Sequence, residues 1–190
     1  MMNTFYKDIQ GWCNFHHFYA DMALRLPDNG TFVEVGVWAG RSLIYFLSCL
    51  QKLNKTANVY AVDTFEGTDT EPRQKELIKE NFGGDIYGHF LENLNKSGFE
   101  GKVNIIKLRS VQAAELFADN SVDICFLDGD HAYDGISSDI LAWNRKTKGI
   151  ISGHDFDHPP VERAVREVFD EAYEIRYAED HVWFVEKGNM

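Results

Sequence analysis

Short runs of β-branched and apolar residues alternate with amphipathic stretches along most of the chain. That alternation is the pattern of a parallel sheet covered by helices. It predicts strands at 31–35, 58–62, 103–108, 122–127 and 149–152. A last pair, 173–178 and 182–186, flanks the turn-prone Glu179-Asp180-His181 and reads as antiparallel. Helices are expected near 41–53, 112–117, 135–144 and 161–172. The aromatic-rich opening, 5–26, reads as helical until Pro27-Asp28-Asn29-Gly30 breaks it, so residues 1–30 form an expected N-terminal helical cap. The fold class is therefore α/β, a mostly parallel seven-stranded sheet ending in an antiparallel hairpin, within one domain covering 1–190.

One connection is out of scale. Residues 65–102 are long for a βα link, with a helical stretch near 73–82 followed by the glycine- and aromatic-rich Phe82-Gly83-Gly84-Asp85-Ile86-Tyr87-Gly88-His89. Connections of this size commonly serve as lids or binding elements. The segment is expected to cover a substrate, or else to be an extra helix packed on the sheet.

Composition narrows the partners. The chain has 190 residues, enough for a single continuous core. Its formal net charge of −11 argues against a nucleic-acid partner, which would call for clustered Lys and Arg. No long uninterrupted apolar run predicts a membrane span, and the first ten residues lack a signal pattern. Cys13, Cys49 and Cys125 have no metal-like spacing, and they read as reduced thiols of a cytoplasmic protein.

The polar residues that follow the predicted strands carry the chemistry. The first strand ends Glu34-Val35-Gly36 and turns through Val37 and Gly40 into a helix bearing Ser42. Ligands of open α/β sheets bind at that edge, and the helix N-terminus favours an anionic group. The spacing is not Gly-x-Gly-x-x-Gly, so pyrophosphate recognition is poorly supported. Asp63 and Thr64 follow the second strand, where a carboxylate can accept from ribose hydroxyls, a logic that nicotinamide and S-adenosylmethionine cofactors share. Ser110 and Val111 follow the third, within reach of an adenine edge.

The densest cluster is Asp128-Gly129-Asp130-His131-Ala132-Tyr133 after the fourth strand, with Gly153-His154-Asp155 after the fifth. Neighbouring parallel strands end on one side, so Asp128, His154 and Asp155 are expected to converge. Two carboxylates and an imidazole can hold a divalent cation; carboxylates suit Mg2+, and the imidazole widens the choice towards Mn2+, iron or zinc. His131 is the candidate general base, since an ordinary imidazole titrates near working pH.

These motifs carry a resemblance. Glu34-x-Gly36-x-x-x-Gly40-x-Ser42 resembles the glycine turn of class I S-adenosylmethionine-dependent methyltransferases of the catechol O-methyltransferase type. From Phe32 onward the chain is similar to small bacterial methyltransferases related to macrocin O-methyltransferase and cephalosporin-biosynthesis proteins. The matching blocks are Asp63-Thr64-Phe65, Phe126 to Tyr133, and Gly153 to Asp155. The resemblance implies a Rossmann-like methyltransferase fold, whose closing hairpin replaces the sixth parallel strand of a dinucleotide fold. It implies cofactor contacts at Glu34, Gly36, Asp63 and Ser110, metal ligands at Asp128, His154 and Asp155, and His131 as base. Metal-dependent relatives carry an acidic residue where this chain has His154.

The resulting expectation is methyl transfer to a hydroxyl of a sugar or small polar metabolite, with Mg2+ or Mn2+ as a candidate aid. The cofactor set read from the turns is Glu34, Gly36, Val37, Gly40 and Ser42, together with Asp63, Thr64, Ser110, Val111 and Asp128. A homo-oligomer is compatible with this reading. The rivals are a nicotinamide-dependent oxidoreductase, a metal-dependent hydrolase built on Asp128, His154 and Asp155, and a cofactor-binding protein without catalysis.

Overall fold

The computed structural model describes residues 4–188. Its seven strands are β1 (Gly30–Val35), β2 (Ala57–Val62), β3 (Asn104–Ile106), β4 (Val122–Leu127), β5 (Thr147–Gly153), β6 (Ile175–Tyr177) and β7 (Trp183–Glu186). Its helices are α1 (His16–Arg25), α2 (Arg41–Leu53), α3 (Pro72–Phe82), α4 (Ile86–Lys96), α5 (Ser110–Ala114), α6 (Tyr133–Lys146) and α7 (Pro159–Phe169). One sheet forms in the order β3-β2-β1-β4-β5-β7-β6. The first five strands pair in parallel, and β7 runs antiparallel to β5 and β6. The expected class and the closing hairpin are both present.

Side-chain alternation on the central strands creates two apolar layers. Phe32 and Phe126 face one side, where Phe32 stacks on Phe46 of α2 at 3.8 Å and Phe126 meets Tyr19 of α1 edge-on. Val33, Val35, Cys125 and Leu127 face the other, packed with Ile140 and Trp143 of α6 and Val165 of α7. In α7, prolines stand at the start, where a missing N–H removes nothing. Val161, Ala164, Val165 and Phe169 then form its buried stripe.

Two elements depart from the sequence expectation. The opening is not one helix: a 3-10 turn at Phe5–Asp8 and α1 are separated by irregular chain that bends at 9–11. Its polar groups are taken by the β1–α2 turn instead. Arg41 donates through Nη1 to the carbonyls of Ile9 and Gly11, at 3.3 and 3.0 Å, and Trp38 Nε1 donates to Gln10 Oε1 at 2.6 Å. The long connection holds two helices. In α4, Asp85 accepts from Gly88 N at 2.8 Å, and Ile86, Phe90 and Leu94 are buried at helical spacing. That half belongs to the core, which leaves 65–82 beside the cleft. Among the described residues no helix is long and apolar enough to cross a membrane.

Candidate active site

Register lines up the strand ends. Val35 is opposite both Val62 and Leu127, Val62 is opposite Ile106, and Leu127 is opposite Gly153. The ladder runs one residue further. Gly36, Asp63, Asp128 and His154 each donate a backbone N–H to a neighbouring strand's last carbonyl, at 2.8–3.2 Å. Four of the expected positions are thus fixed along one edge by main-chain bonds alone. A cavity opens there.

All the residues expected at the site line that cavity except Glu34 and Gly40. Gly40, at φ +88, lies against the Phe90 ring, which a Cβ would strike. Glu34 lies beneath the floor, 1% exposed, and accepts from Ser42 Oγ at 2.5 Å. Burial pushes its carboxyl up to about 8; Asp128 adds to the rise, while Ser42 and Tyr19 oppose it. Its Oε2 has no aligned partner. Three non-glycine residues around the cavity, Trp38, Phe65 and Asp155, adopt left-handed backbone with φ between +51 and +58. Such conformations are uncommon outside functional loops.

Asp63 is more engaged than a free ribose ligand would be. Its Oδ2 accepts from Val37 N and Trp38 N, at 2.9 and 3.0 Å, and its Oδ1 from Phe65 N at 2.7 Å. One carboxylate therefore braces the glycine turn and the start of the long connection, with lone pairs to spare. Burial raises its pKa against the pull of those amides. Ser110 opens α5; its hydroxyl accepts from Trp143 Nε1 at 2.9 Å and bonds to Asp139.

The histidines and carboxylates meet at the β4 and β5 ends. His131 Nε2 lies 2.9 Å from Asp155 Oδ2 and 3.6 Å from Asp128 Oδ1, without an aligned hydrogen bond to either. His154 Nδ1 lies 3.1 Å from Asp155 and 3.8 Å from Asp128, and its buried Nε2 has no partner. Asp128, His154 and Asp155 converge as the strand order requires. Ligand atoms of Asp128, His131 and Asp155 all lie within 4.8 Å of one another, so the imidazole in this group able to share a cation is that of His131.

Electrostatics changes the argument for His131. Burial alone would depress its pKa, but Asp128, Asp155 and Glu71 outweigh that and push it up to about 12. The ordinary imidazole value therefore does not describe this ring, and the carboxylates stabilise the imidazolium. Burial likewise opposes the charge on His154, and Asp155 and Asp128 overcome it and raise the pKa. Asp155 is lowered, because the two imidazoles exceed the effect of burial. Glu71 was not legible in the sequence: it is one of several acidic residues in the long connection, and nothing in its spacing ties it to His131.

A sequence profile described as a methyltransferase domain matches residues 33–156. The chain belongs to the methyltransferase domain family. With its sheet order it is a class I enzyme that uses S-adenosylmethionine. Solved structures share the fold at low identity. The O-methyltransferase NovP has a TM-score of 0.71 at 16% identity, covering 90% of this chain and 78% of its own. A precorrin-6y C5,15-methyltransferase from Geobacter metallireducens reaches 0.65 at 14%, over 97% and 95%. A SAM-dependent O-methyltransferase from Thermotoga maritima reaches 0.61 at 14%, over 93% and 66%. No curated protein sequence matches the chain.

Proposed function

We propose that this methyltransferase acts on a hydroxyl of a sugar or small polar metabolite. The observation that carries the reading is the cluster of Asp128, His131, His154 and Asp155 at the wall of the cofactor cavity. Bound S-adenosylmethionine supplies the electrophilic methyl carbon. Gly36, Val37, Ser42, Asp63, Thr64, Ser110, Val111 and Asp128 hold it, with Glu34 and Gly40 shaping the turn from below. That methyl would pass to the acceptor oxygen, the S–C electron pair staying on sulfur, and Nε2 of His131 would take the hydroxyl proton.

The surrounding carboxylates favour the imidazolium, which is the product of that proton transfer. A sulfonium bound in this cavity would add positive charge that favours the neutral form able to receive the proton. Two carboxylates and the His154 imidazole, 3.1 Å from Asp155 and 3.8 Å from Asp128, also form a donor set that fits a divalent cation such as Mg2+ or Mn2+. Asp128, Asp155 and His154 would hold it, leaving His131 to the acceptor. It would supply Lewis-acid polarisation of the hydroxyl. The net charge of −11 supports a small-molecule acceptor over a polyanion.

Calorimetry with S-adenosylmethionine and S-adenosylhomocysteine, with and without Mg2+ or Mn2+, tests the cofactor reading; absence of binding in every condition would sink it. Transfer of labelled methyl groups to a panel of sugars and hydroxylated metabolites then finds the acceptor. Asp63→Ala is expected to abolish cofactor binding. His131→Asn should spare binding and remove turnover, and transfer that survives a chelator undiminished would retire the metal.

A further inference from the structure

The long connection brings a third carboxylate to His131. Glu71 precedes Pro72 at the start of α3, with backbone outside the helical region (φ −126°, ψ 77°), and its side chain makes no capping bond. A residue before proline is held out of the helical region. The carboxylate is thus not spent on the helix amides. Its Oε1 lies 2.7 Å from His131 Nδ1 and accepts from His131 N at 3.4 Å, while Gln74 Nε2 steadies Oε2 at 3.0 Å. One residue earlier, Thr70 Oγ1 donates to Asp130 Oδ1 at 2.8 Å. The segment is therefore joined to the loop after β4 at two adjacent points.

The geometry matters because His131 has carboxylates on both sides. Asp128 and Asp155 can accept from an N–H at either ring position, so they do not by themselves fix which nitrogen faces them. The 2.7 Å contact to Glu71 does, since it is the shortest the ring makes. A carboxylate behind an imidazole holds its tautomer and orientation, as in hydrolytic triads.

We propose that Glu71 is a positioning residue: it accepts the Nδ1 proton of His131 and so aims Nε2 at Asp128, Asp155 and the cavity. Seating of the 65–74 segment then becomes a condition for a working His131. The proposal rests on the reading of His131 as proton acceptor.

The test is nuclear magnetic resonance of the full chain, labelled with 15N-histidine and saturated with S-adenosylhomocysteine. His131→Asn identifies the ring signals. The wild type is expected to show a slowly exchanging Nδ1 proton on His131, in either charge state of the ring. E71A should lose it, and E71Q should retain it, because the amide oxygen still accepts. Amide exchange at 68–74 should quicken in E71A. With an acceptor from the panel, E71A should lower kcat by roughly 100-fold, with acceptor KM and S-adenosylhomocysteine affinity within about two-fold of wild type. Adding E71A to His131→Asn should cost nothing further.

A persistent Nδ1 proton and wild-type kcat in E71A would overturn the role of Glu71. Full transfer by His131→Asn would instead remove the base reading, and the role of Glu71 in turnover with it, while leaving the ring signal unaffected.

Discussion

Gly36 has φ +82°, and a Cβ there would lie 2.8 Å from Gly129 Cα and collide with the Asp128 carbonyl. Both strain and contact oppose a side chain, so Gly36→Ala is expected to cost about 2 kcal/mol or more and to weaken S-adenosylhomocysteine binding. A urea midpoint equal to wild type would mean that the turn relaxes. Asp139 gives a residue-scale pH dependence. Burial pushes its carboxyl up to about 6, with Ser110 of α5 opposing the rise and Asp130 adding to it; Cys125 of β4 is the other titratable group nearby. An unfolded Asp titrates near pH 3.9. Between that value and about 6 the folded chain keeps a proton that the unfolded chain has lost, so stability falls as pH rises through the window. Above it the loss levels off at roughly 3 kcal/mol. Asp139→Asn should remove that slope, matching wild type best near pH 4 and exceeding it at pH 7.5 in chemical denaturation. An equal shift at both pH values would refute the assignment.

At the scale of elements, α4 joins the long connection to the cofactor turn. Phe90 is fully buried, lies against Gly40 and meets the Phe65 ring at 5.2 Å, whereas Leu91 next to it is 39% exposed. Phe90→Ala is expected to cost about 3–4 kcal/mol and to weaken cofactor binding by unseating the turn. Leu91→Ala should stay within about 0.5 kcal/mol. Phe90→Ala melting like wild type would show that α4 does not support the site. This helix was hard to see in the sequence because Gly88 and His89 interrupt its apolar stripe, and two glycines precede it. The opening departs from its predicted helix for the converse reason. Its aromatics pack onto the sheet, but Arg41 and Trp38 hold the bent chain at 10–11 by hydrogen bonds, and both lie outside that segment.

For the whole molecule, a ligand held at the sheet edge stabilises every element that meets there. S-adenosylhomocysteine at 100 times its Kd should raise unfolding free energy by about 2.7 kcal/mol. Asp63→Ala should lose that gain, because its carboxylate receives amides from both the glycine turn and the long connection. A thermal shift in Asp63→Ala equal to wild type would contradict the proposed cofactor site.

The central strands, the closing hairpin and the convergence of Asp128, His154 and Asp155 were all legible in the sequence. Each follows from period-two alternation and from parallel strands ending on one side, which are local rules. Contacts between residues far apart in the chain were not legible. The descent of Glu34 beneath the cavity, the three amides on Asp63 and the meeting of Glu71 with His131 across 60 positions arise only when the sheet and its connections pack. The same holds for charge. Sequence determines that His131 is an imidazole; the three carboxylates that folding brings to it raise its pKa against the opposing effect of burial.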